Sequence, residues 1–166
     1  MKLDIVKRAN GSTAKLVIDE ARMLWPNFSG SGGYAPQFNI VIPNQEIADA
    51  LMEDVNEYGV PWRVKISAPR EEGNDPTIYL PIKVGNYAEI YVQTGNRINK
   101  IDLDDIGQID NMDIEYIEVD VKPSDRVKNG SPYRSAYLDS MTIYQRSNRH
   151  AERYHASRMA EEKPFE

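Results

Sequence analysis

Thr77-Ile78-Tyr79-Leu80-Pro81-Ile82-Lys83-Val84 decides the fold class, because its apolar residues fall on every second position. That period belongs to an extended strand, with Ile78, Leu80, Ile82 and Val84 on one face and Tyr79 and Lys83 on the other. On its N-terminal side, Trp62-Arg63-Val64-Lys65-Ile66-Ser67 repeats the pattern, turning Trp62, Val64 and Ile66 inward and Arg63 and Lys65 outward. On its C-terminal side, Ala88-Glu89-Ile90-Tyr91-Val92-Gln93 does so again and leaves Tyr91 outside with Glu89 and Gln93. Further strands are expected over residues 16–25, bulged at Asp19-Glu20 and stopped by Pro26, and over 37–42, with Phe38, Ile40 and Ile42 on one face. Two more are expected over 114–121 and 133–145, the last bulged near Asp139-Ser140.

One segment breaks this rhythm. Pro43-Asn44 opens a helix over 45–58 with Ile47, Leu51 and Val55 on one stripe, and Gly59 and Pro61 close it. A helical turn is expected within 104–111. Short strands separated by turn signals, with a single interrupting helix, describe a mostly β domain built as a barrel or a sandwich. Residues 1–15 read as a flexible leader or a marginal strand, 16–146 as the domain, and 147–166 as a tail. Trp25, Phe28 and Phe38 are expected in the core.

The chain has 166 residues, 40% hydrophobic and 28% charged, enough for one core-bearing domain. It has no cysteine, which removes disulfides, thiolate nucleophiles and Cys-ligated zinc together. No apolar run is long enough to span a membrane, and Met1 to Arg8 lacks a signal peptide's apolar segment, so a cytoplasmic location is expected. The formal net charge of -6 argues at first against a phosphate partner, but it is unevenly spread. Residues 1–100 carry 11 basic and 12 acidic groups, 101–125 carry 1 and 9, and 126–166 carry 8 and 5. With the acidity concentrated in one short block, a basic groove elsewhere is compatible with the composition.

Chemistry-bearing motifs are few. Asp102-Leu103-Asp104-Asp105-Ile106-Gly107 starts like a calcium loop, yet Ile106 occupies position 5 and Asp113 stands where a bidentate Glu belongs, so an acidic turn is expected. His150 and His155 are five apart, against the four of the zinc-protease motif. The Gly-rich loop 29–36 matches neither a Walker loop nor a dinucleotide fingerprint, and Glu71-Glu72 sits in an exposed turn where nothing raises a carboxyl pKa. No cofactor, metal site or catalytic pair is expected.

The outward strand residues are the best candidates for a binding surface. Rings alternating with cations on one sheet face suit a single strand of nucleic acid, whose bases need flat partners and whose phosphates need charge. Arg63, Lys65, Tyr79, Lys83 and Tyr91 are the first candidates, and Tyr34, Arg97, Lys100 and Arg134 the second. The same residue types are also ordinary on a solvated sheet face.

Several short pieces, in this order, are similar to a known family: Ala21-Arg22-Met23-Leu24-Trp25-Pro26-Asn27-Phe28, the helix from Glu46, Pro69-Arg70-Glu71-Glu72-Gly73, Ile106-Gly107-Gln108-Ile109-Asp110 and Ala136-Tyr137-Leu138. Together they resemble the single-stranded DNA-binding proteins of tailed bacteriophages, over about residues 16–144. The resemblance implies an OB-fold-like barrel of short antiparallel strands and a non-catalytic protein that coats single-stranded DNA in phage replication or recombination. The Gly59-Val60-Pro61 turn, the leader and the tail depart from the pattern. The tail runs from Arg149, Arg153 and Arg158 to Glu161-Glu162 and Pro164-Phe165-Glu166, loosely like the tips through which bacterial single-stranded DNA-binding proteins recruit replication or recombination partners. A plain disordered tail and a homo-oligomer both fit the sequence as well. The alternative is a protein-interaction module that inhibits or recruits a host factor through the acidic 101–125 block.

Overall fold

The computed structural model describes residues 1–146. Ten strands form one sheet: β1 (Lys2–Lys7), β2 (Thr13–Ala21), β3 (Met23–Asn27), β4 (Gln37–Val41), β5 (Lys65–Ser67), β6 (Thr77–Lys83), β7 (Glu89–Thr94), β8 (Arg97–Ile101), β9 (Ile114–Lys128) and β10 (Ser131–Gln145). Helix α1 (Gln45–Glu53) and short 3-10 helices at Ser31–Gly33 and Leu103–Asn111 complete the described elements. The main path runs β1-β2-β9-β10-β6-β4-β3, with β5 added to β6 and the β7-β8 hairpin to β10. The fold is mostly β with one α-helix, as expected. The path stays open from β1 to β3, and the pairing is mixed rather than purely antiparallel: β10 lies parallel to β6 at Tyr137 and parallel to β7 from Ser140 to Tyr144.

Bulges steer this path. Between Ile18 and Ala21, β2 carries two residues against one on β9, and Glu20 takes a φ of 49°, at the bulge that the break in alternation predicts. The extra residue in β10 is Asp139, between Leu138 and Ser140, and beyond it β10 changes neighbours from β6 to β7. A third bulge sets Trp25 and Pro26 against Phe38, so Pro26 lies inside β3 instead of stopping the strand.

Residues 1–15, read as a flexible leader or a marginal strand, contain the strand β1, which pairs with β2 from Lys2↔Asp19 to Lys7↔Thr13. Three further sequence expectations are corrected. The helix ends at Glu53, because Asp54 leaves helical geometry; Ala48 and Leu51 are its buried residues, whereas Val55 is exposed. Of residues 62–67 only Lys65–Ser67 pair with a neighbour, and Ile66 on this edge strand is exposed. β9 runs on from its expected end at Val121 to Lys128, where Asn129-Gly130, both at positive φ as a two-residue hairpin turn requires, joins it to β10, which matches the expected segment to within two residues.

The core gathers the alternating faces: Leu16 and Ile18 of β2, Phe38 and Ile40 of β4, Leu80 and Ile82 of β6, Ile90 of β7, and Ile117 and Ile143 of the long hairpin are all fully buried. Phe28 and Phe38 stack at 5.2 Å within it, and Trp62 closes one end. Trp25 does not join them. It is 50% exposed, because the bulge at φ 45° turns its side chain out of the buried row.

Candidate nucleic-acid interface

The register of β5, β6 and β4 determines which outward residues meet. Directly opposed residues of paired strands share a face, so Lys65↔Tyr79↔Val41 forms one row and Lys83↔Gln37 another, with Asn39↔Pro81 between them. The second row continues through the parallel pair Tyr137↔Lys83 and the antiparallel pair Tyr137↔Lys122. Lys83 Nζ stands 5.8 Å from the Tyr137 ring centroid and 3.4 Å from Ser135 Oγ, to which it donates. The Trp25 ring meets Tyr79 edge to face at 5.1 Å. One sheet face thus carries Lys65, Tyr79 and Lys83 from the sequence expectation, and Trp25, Tyr137 and Lys122 that it missed.

A loop borders this face. Asp110 accepts hydrogen bonds from the backbone amides of Phe28 (2.7 Å) and Ser29 (3.1 Å), pinning the start of the 29–36 loop to the 3-10 helix Leu103–Asn111. Gly30, at φ 71°, admits no side chain, since a Cβ there would lie 2.8 Å from the Tyr34 carbonyl oxygen. Tyr34 follows in this loop and is exposed. Two of the family-like pieces, at Asn27-Phe28 and Ile106–Asp110 in sequence, are therefore the two sides of one clamp.

The other expected residues are placed differently. Tyr91 and Lys100 face each other across the β7-β8 hairpin, with Lys100 Nζ 6.0 Å from the ring, and Arg97 sits exposed at the hairpin's turn end. Around Tyr91 are Asp19, Glu118 and Asp120, so this second surface is acidic. Arg63 is exposed beside the buried Trp62.

Arg134 is withdrawn from the surface. Only 2% exposed, it donates to Asp125 from Nε at 2.8 Å and to the Asp54 carbonyl oxygen from Nη1 at 2.9 Å, with its guanidinium 4.9 Å from the centre of the Trp62 ring. The Asp54 carboxylate also accepts from Trp62 Nε1 and Thr13 Oγ1, each at 2.8 Å, and from Lys7. Burial pushes the Asp54 carboxyl upward, but the hydrogen bonds from Lys7, Trp62 and Thr13 outweigh it and hold the group below its ordinary range. Asp125 behaves alike, burial being outweighed by Arg134 and Asn56. This network ties β1, β2, the end of α1 and the β9-β10 hairpin together. Its task is structural.

A model of the phage ssDNA-binding domain family matches residues 6–165. The chain belongs to that family. No curated protein matches it in sequence. Among solved structures, this member of the phage ssDNA-binding domain family resembles the single-stranded DNA-binding protein from bacteriophage Enc34. The C-terminal truncation of that protein aligns with a TM-score of 0.55 at 9% identity, covering 89% of this chain and 95% of the other. The Enc34 protein in complex with ssDNA aligns with a TM-score of 0.54 at 11% identity, over 89% and 97%. At such identities the likeness speaks to the fold. The family match extends beyond the resemblance read from the sequence and takes in the end of β1 and most of the tail; what was expected of residues 147–166 lies outside the described residues.

Proposed function

We propose that this protein coats single-stranded DNA without sequence preference during phage replication or recombination, as a non-catalytic binder in the host cytoplasm. The observation that carries the reading is the outward face of β5, β6 and β4, where Lys65, Tyr79, Lys83 and Trp25 gather on a chain whose net charge is negative. Rings accept any base because every base has a flat face, and the lysines neutralise phosphates of any sequence. Family membership supports the same ligand class. Among the described residues no group of carboxylates or histidines could hold a metal, and no helix is long and apolar enough to cross a membrane.

Arg63, Tyr34 and the Tyr91-Lys100-Arg97 hairpin remain secondary contacts in this reading, reached only if the strand wraps past the main face. The tail is assigned to replication or recombination partners and self-association to coating, both by analogy with proteins that do this work. A titration of labelled single-stranded oligonucleotide at several salt concentrations tests the reading: affinity should fall as salt rises, with a slope near 0.7 per phosphate contacted. Absence of binding to any single-stranded DNA would overturn it.

A second reading rests on the acidic surface around Asp19, Glu118 and Asp120, where Tyr116 and Tyr144 stack at 4.3 Å. It would receive a basic partner protein, and such binding would survive removal of the lysines of the main face.

A further inference from the structure

We infer that the cleft between the Gly85–Ala88 turn and the β9-β10 hairpin is a nucleotide subsite, in which Tyr87 and Tyr137 take a base and Lys122 and Arg126 take its phosphate. The inference rests on the reading of the protein as a single-stranded DNA binder and extends its path beyond the face of β5, β6 and β4.

Four observations support it. The cleft measures about 360 Å³ and is lined by both tyrosines and both cations. Tyr87 is 96% exposed, so its ring contributes almost nothing to the core and its faces are open to stacking by a base. Tyr137 forms the floor: its ring lies within ordinary contact distance, 3.6 Å, of where a Gly85 Cβ would stand. Lys122 is held at the rim by Asp139 at 3.0 Å, and Arg126 lies exposed two steps further along the same face of β9, past Ser124.

The cleft is continuous with the main face. Lys83 stands over the Tyr137 ring and lies on the same face as Tyr79, four residues earlier on β6. Four residues of strand span about 13 Å, the length of roughly two nucleotide steps. A strand of DNA stacked on Trp25 and Tyr79 would therefore pass Lys83 with its backbone and place a following base against Tyr137 and Tyr87. Base stacking on rings and phosphate neutralisation by cations then continue without interruption from one site to the other.

The test uses the full chain and fluorescein-labelled oligothymidylate, followed by anisotropy across a salt series, with thermal melts as a folding control. Tyr87→Ala removes an exposed ring and should weaken binding on the order of tenfold at an unchanged melting temperature. Arg126→Gln should lower the salt slope by about 0.7, the loss of one phosphate contact. A Lys65→Glu variant, on β5 and outside the cleft lining, reports the main face separately. If that variant loses affinity while Tyr87→Ala and Arg126→Gln bind like the wild type, the subsite is overturned and the main reading stands. If the wild type binds no oligothymidylate at all, both fall together.

Discussion

The Trp25 ring meets the Tyr79 ring edge to face, with centroids 5.1 Å apart and planes at 81°. Trp25 belongs to β3 and Tyr79 to β6, with β4 between them, so the contact bridges a strand. Half of the indole stays in water. The pair therefore holds one ring steady and leaves its neighbour's surface open to a third ring.

Trp25 should report DNA directly. The chain has two tryptophans, and Trp62 is buried on Asp54, so quenching of intrinsic fluorescence by single-stranded DNA should come from Trp25 alone. Trp25→Phe should abolish most of the quenching, and Tyr79→Ala should cost about 1–3 kcal/mol of binding. Full quenching in Trp25→Phe would place the bases elsewhere.

The lysines should set the salt dependence. Lys65→Glu combined with Lys83→Glu should weaken binding to mixed-sequence oligonucleotides strongly and reduce the salt slope, while the melting temperature changes little, because both side chains are exposed. Unchanged affinity would move the groove away from β5 and β6.

The Asp54 network should govern acid stability. Asp54 and Asp125 have carboxyls lowered in the folded state, so their contribution is complete above the ordinary carboxylate range and disappears as pH falls through the lowered values. Stability should therefore drop below about pH 4. Asp54→Asn removes the buried carboxylate that Lys7, Trp62 and Thr13 donate to, while Arg134 keeps Asp125 as its charge partner; it should cost about 1–3 kcal/mol at neutral pH and flatten the acid limb measured by denaturant melts from pH 7 downward. An acid limb as steep as the wild type's would exclude Asp54 as its source.

The Asp110 clamp should control the loop. Asp110→Ala leaves the amides of Phe28 and Ser29 without their acceptor and should cost about 1–3 kcal/mol, with hydrogen exchange accelerated at those two amides and not within β3. Unaltered protection at both would show that the carboxylate is dispensable.

Alternation made much of this fold legible. Strands β4, β6 and β7 follow directly from period two, and the breaks at Asp19-Glu20 and Asp139-Ser140 mark real bulges, because a bulge is a local event written in consecutive residues. Arg134 was illegible for the opposite reason: its burial depends on Asp54, 80 residues away, and no local pattern distinguishes it from an exposed cation. Trp25 lies in the apolar row by spacing, and only the left-handed backbone at its own position removes it. Strand β8 was missed because Arg97-Ile98-Asn99-Lys100 buries none of its side chains, leaving no period to read. Asn129-Gly130 was a readable turn signal, and it would have revealed the long hairpin that brings Lys122, Arg126 and Tyr137 to the surface.

The backbone at Trp25 sets local strain against the exposure of the ring. A φ of 45° is comfortable for glycine and costly for any residue with a Cβ. Trp25→Gly should therefore be more stable than Trp25→Ala by up to about 1 kcal/mol, although both lose the ring. The strain at this position is the local cost of presenting an indole at the surface beside Tyr79.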